Sequence, residues 1–277
     1  MAAVPLRTLV LKAASVADDL GFVALADVAS ACAGTDALII GGHMVQLHVY
    51  RWGLGAALYR ETLDADVGMS RLTAKDTSVT DRLRRDLGYE RTHGNVFERD
   101  VPDIPVAAPP GQPHRAVVEL LVPAYTSRAR RNFSLGDHLT TTEVPGLAEA
   151  LKCPPVVCQL KLARLNGQVL ETNACLPDEV SALVLKVLVW RKRLEARDAV
   201  DIWRCTEVLM AAGINLSRLT GQTAASVREY LRSSVADRKG PFVTSIVRYR
   251  GLSANAGDAL HTRLRATIAA LTATDHA

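Results

Sequence analysis

The sequence predicts an α+β protein: a mixed sheet with flanking helices over residues 1–175, then a helical domain over 176–277. Three observations predict it. Residues 37–70 alternate between an apolar run, a glycine pair, a helix-length amphipathic stretch and a second strand-length run. Residues 115–123 (RAVVELLVP) and 155–171 (PVVCQLKLARLNGQVLE) are valine-rich and strand-like, the latter folded around Asn166-Gly167, a strong hairpin signal. From Pro177 onward the apolar period becomes helical and stays so.

In order along the chain, residues 6–33 read as helical, because Leu9, Val10, Ala13, Val16 and Leu20 recur at helical spacing. Gly21 is expected to break this helix, and Ala24–Cys32 to form a second one, both as packing elements. Next come ALII (37–40), Gly41-Gly42, a helix from about His43 to Trp52 with Val45, Val49 and Trp52 on one face, and a strand carrying Asp64 and Asp66. In a strand, alternate side chains share a face. Thr62, Asp64 and Asp66 are therefore expected on one face, and Leu63, Ala65 and Val67 on the other.

Two carboxylates so placed repel each other by roughly 3 kcal/mol, taking ~5 Å and an effective dielectric of ~20. A divalent cation offsets that directly, and Mg²⁺ held by one or two carboxylates plus substrate phosphates is the usual arrangement. Glycines let backbone N–H groups approach a phosphate, and the following helix N-terminus favours anions. A phosphate cradle beside metal-holding carboxylates points to phosphoryl or nucleotidyl transfer. His43, at the helix start, reads either as a phosphate contact or as a cap or surface residue. His48, among apolar neighbours, reads as packing.

Val79–Leu87 is expected to be a short basic helix and Tyr89–Val101 a strand or hairpin arm. Four prolines make 103–114 an exposed loop. In RAVVELLVP, Glu119 is the single internal charge. Residues 125–145 are polar and basic, with Arg128, Arg130 and Arg131 beside Tyr125 and Phe133. Such a stretch reads either as a solvated loop or as a surface for an RNA 3′ end, with cations on phosphates and rings on bases. The 155–171 hairpin is expected to finish the sheet.

Pro177 suits a first helical turn, with Asp178 and Glu179 at its positive end. Val180, Leu183, Val184, Val187 and Leu188 form the expected core stripe. Lys186 is the one charge within it, so it either reaches water or has a buried anionic partner. Asp198 and Asp201 share a helix face, where they could also pair with Arg193 or Arg197. Further helices are expected at Ala225–Val235, Pro241–Tyr249 and Ala256–Leu271.

Composition sets wide bounds. At 277 residues, 48% hydrophobic and 22% charged, the chain suits an ordinary globular protein. A net charge of +4 permits a nucleic-acid partner without requiring one. Cys32, Cys153, Cys158, Cys175 and Cys205 form no CxxC and no metal-like spacing with histidine. They read as reduced thiols in a cytoplasmic protein. Neither a signal peptide nor a membrane span is expected, so no membrane partner is.

Two blocks, GG-HMVQLH followed by RETLDADV, and KVLVWRKRLEARDAVDIW, resemble the nucleotidyltransferase (polymerase-β-like) fold. More narrowly, they are similar to the AbiEii-type toxins of type IV toxin–antitoxin systems and their mycobacterial MenT relatives. There, GG or GS precedes a helix and Arg-x-Ser/Thr-x-Asp-x-Asp, places occupied here by Gly41, Gly42, Arg60, Thr62, Asp64 and Asp66. The second block matches Lys-Leu-x-Ala, Arg, then Arg-Asp-x-x-Asp-Leu, through Lys186, Asp198 and Asp201. The resemblance implies transfer of NMP from an NTP, with Mg²⁺ on Asp64 and Asp66. Phosphates would lie on Gly41, Gly42 and Lys186, with His43, Arg60, Thr62 and Asp201 lining the nucleotide site, and Asp198 would help to order it. Glu119 would be a third metal ligand on a neighbouring strand, a glutamate where aspartate is commoner, or else a rim residue of an edge strand. The acceptor implied is the 3′ end of tRNA, with blocked aminoacylation, growth arrest and a cognate antitoxin. In some relatives, phosphorylation at the Thr62 place silences the toxin. A small-molecule (antibiotic) nucleotidyltransferase and a non-catalytic scaffold share the same core pattern. The basic stretches argue mildly against the former, and intact Asp64, Asp66 and Lys186 against the latter.

Overall fold

The computed structural model describes residues 8–55, 58–126, 128–136, 138–216 and 221–273. The protein is α+β with mixed sheets, and divides into two compact units, Met1–Leu47 with Tyr59–Asp178, and His48–Leu58 with Glu179–Ala277.

The first unit is built on β2 (Leu38–Ile39), β3 (Asp64–Gly68), β4 (Glu90–His93), β5 (Val96–Asp100) and β6 (Arg115–Pro123), in the order β2-β3-β6-β5-β4. β6 is the spine. Ala116, Val118, Leu120 and Val122 are buried, as a strand with neighbours on both edges requires. It runs parallel to β3 and antiparallel to β5. Its last residues pair in parallel with β8 (Thr140–Val144), to which β7 (Phe133–Ser134) is antiparallel. A second sheet contains β1 (Thr8–Lys12), β9 (Val156–Ala163) and β10 (Val169–Leu176), with β1 parallel to β9 and β10 antiparallel to it. The hairpin expected at 155–171 therefore forms, with Gly167 at φ +87° in its turn. It builds this separate sheet instead of finishing the first.

Helix α1 (Val16–Ala31) packs on β3, β6 and β10. The Ser15 hydroxyl caps it, accepting from Asp18 N at 3.1 Å. The expectation of helix over 6–33 with a break at Gly21 is corrected twice. Thr8–Lys12 is a strand whose burial alternates, and α1 runs unbroken through Gly21. Buried Asp19 accepts from Arg164 Nε at 2.6 Å, and Arg164 also grips Asp103, fastening α1 to the β9–β10 turn. The expected helix at 79–87 is α4 (Ser78–Asp81) and a π-helical turn (Arg82–Asp86), preceded by α3 (Arg71–Lys75). Loop 103–114 and the Tyr89–Val101 hairpin form as expected. After β8, α5 (Leu147–Ala150) is a single turn.

Helix α2 (Gly41–Arg51) contains the division between the units. The second unit contains α6 (Glu179–Arg193), α7 (Ala196–Ala211), α8 (Gln222–Ser234), α9 (Pro241–Tyr249) and α10 (Ala254–Thr272). Segment 48–58 belongs with them: Val49 and Leu58 pack on Val208, and Arg51 and Trp52 Nε1 both bond to Glu179. In α6 the buried residues are Glu179, Ala182, Leu183, Leu185, Lys186, Val187 and Trp190, while Val180, Val184 and Leu188 are half-buried. The stripe is thus rotated from the one expected. Trp190 meets Phe242 edge to face at 6.1 Å. No two cysteines are joined by a disulfide. Among the described residues no helix is long and apolar enough to cross a membrane.

Candidate functional site

The site begins where β2 ends. Ile40 N donates to Asp66 O at 2.9 Å, which sets the glycine pair against β3. Gly41 is the first residue of α2 and has φ +66°, a conformation that a side chain strains. A Cβ on Gly41 would lie 1.8 Å from Asp66 Oδ2, and one on Gly42 would lie 2.5 Å from Arg60 Nη2 and 2.7 Å from Thr62 Oγ1. The pair is therefore a place where a carboxylate, a guanidinium and a hydroxyl close in on bare backbone at a helix N-terminus. Gln46 Oε1 of α2 accepts from Arg60 N at 3.2 Å, which ties the segment entering β3 to that helix, and Arg60 Nη1 donates locally to Glu61 O at 3.2 Å.

β3 begins at Asp64, later than expected. Asp64 and Asp66 are half-buried on one face and Ala65 and Val67 fully buried on the other. The expected alternation fails upstream: Thr62 is buried and Leu63 is 42% exposed. The Thr62 side chain lies against Gly42, and its carbonyl packs on α1, 2.1 Å from where a Cβ on Gly21 would stand. This explains the glycine inside that helix.

Parallel pairing sets Asp66 opposite Glu119 of β6. One carboxylate oxygen from each of Asp64, Asp66 and Glu119 lies within 4.8 Å of the other two. Three anions so close repel by roughly 3 kcal/mol per pair at an effective dielectric of ~20. Hard oxygen donors in this number and spacing suit a divalent cation such as Mg²⁺. Glu119 lies on a strand paired on both sides, not on an edge, which removes the edge-strand alternative.

His43 is buried, neither a surface cap nor solvent-facing. Its Nε2 would lie 3.1 Å from a Cβ on Gly21. Burial lowers its pKa to about 4 against the raising effect of Asp64, so the ring is neutral at pH 7. His48 is buried, 3.7 Å from Glu179.

Lys186, Asp198 and Asp201 lie in the second unit and form a buried ion-pair network. Lys186 Nζ is 2.7 Å from Asp201 Oδ2 and 3.8 Å from Asp198 Oδ1. Asp198 accepts two bonds from Arg193, and Asp201 accepts from Arg204 Nη1 at 2.9 Å. Arg197 pairs with Glu195 instead. Sequence reasoning missed Arg204, although its spacing one turn from Asp201 is a helix-pair signal. It also missed Gln46 and gave Gly21 only the part of a helix break, since the sequence carries no local signal for the roles the structure shows.

No protein-family model matches the chain, and no curated protein matches it.

Proposed function

We propose that this protein is a Mg²⁺-dependent nucleotidyltransferase of the polymerase-β-like fold. It would transfer a nucleoside monophosphate from an NTP to an acceptor hydroxyl, the 3′ end of tRNA, with pyrophosphate as the second product. The observation that carries this reading is the convergence of Asp64, Asp66 and Glu119 within 4.8 Å beside a diglycine at a helix N-terminus.

The donor set fits the ion. Asp64, Asp66 and Glu119, with oxygens within 4.8 Å of one another, would hold it through hard donors of the kind such a cation takes. When bound, the cation supplies charge neutralisation on the triphosphate. The remaining work belongs to the chain. The backbone N–H groups opening α2 and the Arg60 guanidinium beside Gly42 bind and orient phosphate oxygens, and the Thr62 hydroxyl adds a donor. In-line attack then needs positioning and charge neutralisation above all. The reading draws on the first unit alone, and Lys186, Asp198 and Asp201 keep the ion-pair roles described above. Modification of the tRNA end would block aminoacylation and growth, which makes a toxin with a cognate antitoxin the biological setting.

The test uses purified protein, Mg²⁺, pooled tRNA and each labelled NTP in turn, with Asp66→Ala alongside. Label in tRNA with the wild type and not with Asp66→Ala is the expected result. No label with any NTP, together with no Mg²⁺-dependent rise in melting temperature on adding NTP, overturns the reading.

A further inference from the structure

The strand end beyond Glu119 carries a feature that the transfer chemistry does not use. Arg71, the first residue of α3, lies between two rings, 4.5 Å from the centroid of Tyr125 and 4.3 Å from that of Phe133. Arg130 lies 4.2 Å from the Phe133 centroid. Arg71 thus contacts both rings, and Phe133 takes both guanidinia.

One acid anchors the stack. Glu143 of β8 is 3% exposed and accepts from Arg71 Nη2, from Arg130 Nη2 at 2.9 Å and from Arg130 N at 2.8 Å. Arg130 holds the Glu143 carboxyl below its usual range. Arg71 also donates to Pro123 O at 3.2 Å, which ties the stack to the end of β6. Two guanidinia share one carboxylate, so the stack keeps a positive excess. Arg128 and Arg131, close to it in sequence, are exposed and have no ion pair among the described residues. Tyr125, at the open end, is 61% exposed. A large ring held out to water on a guanidinium backing loses little freedom when a second flat group stacks on it.

We propose that Tyr125 is a stacking plate for an unpaired base of single-stranded RNA, with Arg128 and Arg131 on the adjoining phosphates. Stacking reads no sequence, because every base has a π-face, while the arginines follow the backbone. Glu119 lies four residues before Pro123 on β6. That is about 13 Å of extended strand, a distance that a few unpaired nucleotides of an acceptor end can cover. The inference rests on the reading above for where the strand leads, and on the stack's own geometry for the binding.

The experiment is anisotropy of a short labelled single-stranded RNA of mixed sequence, titrated with the full chain at several salt concentrations without NTP. Tyr125→Ala is expected to weaken binding by about 10-fold or more, and Tyr125→Phe to retain it. Arg131→Ala should lower the slope of log affinity against log salt by about 0.7. Wild-type affinity in Tyr125→Ala, or no RNA binding by the wild type at low salt, overturns the inference. The wild type, assayed for both RNA binding and label transfer, separates the two readings. Tyr125-dependent RNA binding in a protein that transfers no label from any NTP sustains the plate and removes the transferase. Transfer that ignores Tyr125→Ala at limiting RNA does the reverse.

Discussion

Gly41→Ala tests the geometry of the carboxylate cluster most directly. The added Cβ would stand 1.8 Å from Asp66 Oδ2, 2.6 Å from its Cγ and 2.8 Å from its Cβ, at a backbone φ of +66°. Carbon contacts are ordinarily ~3.5 Å or longer. Rotating the Asp66 side chain moves Oδ2 and Cγ away but leaves its Cβ in place, so backbone must shift as well. The left-handed conformation costs an L-residue about 1–2 kcal/mol, and an off-rotamer carboxylate about 0.5–1.5 kcal/mol. With backbone displacement added, the loss should be on the order of 3 kcal/mol. Gly34 supplies the control: its φ is +80°, and nothing lies within 4 Å of a Cβ placed there. Gly34→Ala therefore carries only the backbone cost. Urea unfolding of both variants, with the m-value unchanged, should separate them by about 1–2 kcal/mol. Mg²⁺ should raise the melting temperature of the wild type and of Gly34→Ala, and not of Gly41→Ala. Equal losses in the two variants, or an unaltered Mg²⁺ response in Gly41→Ala, would refute the claim that this glycine exists to admit Asp66.

Three further outcomes follow from buried groups elsewhere in the fold. Burial lowers the His43 pKa from 6.5 to about 4, so the unfolded chain takes up the proton first. Stability should fall as pH drops through 6.5 and level off below 4, by about 3 kcal/mol in full and roughly 2 kcal/mol by about pH 5. His43→Gln should flatten that part of the urea midpoint–pH curve, and an unflattened curve counts against it. Asp201→Asn takes from Lys186 the nearer of its two carboxylates, leaving Asp198 at 3.8 Å, and takes the Asp201 carboxylate from Arg204, and should cost about 3 kcal/mol; Lys186→Met in that background should recover part of it, and additive losses would contradict the network. Gly21→Ala, a change that gains about 1 kcal/mol in an ordinary helix interior, should instead destabilise, because Thr62 O lies 2.1 Å from the new Cβ; a raised melting temperature would count against the packing described.

What the sequence made legible followed local chemistry. Asn166-Gly167 placed a hairpin, Pro241 opened a helix that spans the residues expected, and the spacing of Asp64 and Asp66 put both on one strand face. What it hid was non-local. Thr8–Lys12 reads TLVLK, where three apolar residues in a row mask the alternation; its partner β9 lies on the far side of the first unit's sequence. Gly21 read as a helix break because glycine usually is one, whereas the carbonyl that demands it comes from residue 62. β8 lay hidden in TTTEV, within a polar and basic stretch that carries no strand signal, and its glutamate is buried because two arginines share it. Glu119 was ambiguous in sequence because a single charge in an apolar run fits an edge or a site equally well. The register with β3 decides where it points.

That register carries a consequence for how the chain comes alive during synthesis. Asp64 and Asp66 emerge first, on a strand whose parallel partner has yet to be made, with β4 and β5 between them in the sequence. A parallel pair cannot close through a tight turn, so a growing chain that holds the two aspartates still lacks Glu119 beside them. A slip of one residue in docking β6 would turn Glu119 to the opposite face. The three-carboxylate cluster therefore registers that the central strand has arrived in correct alignment. Until then, the nascent protein has the letters of its motif without the site they spell.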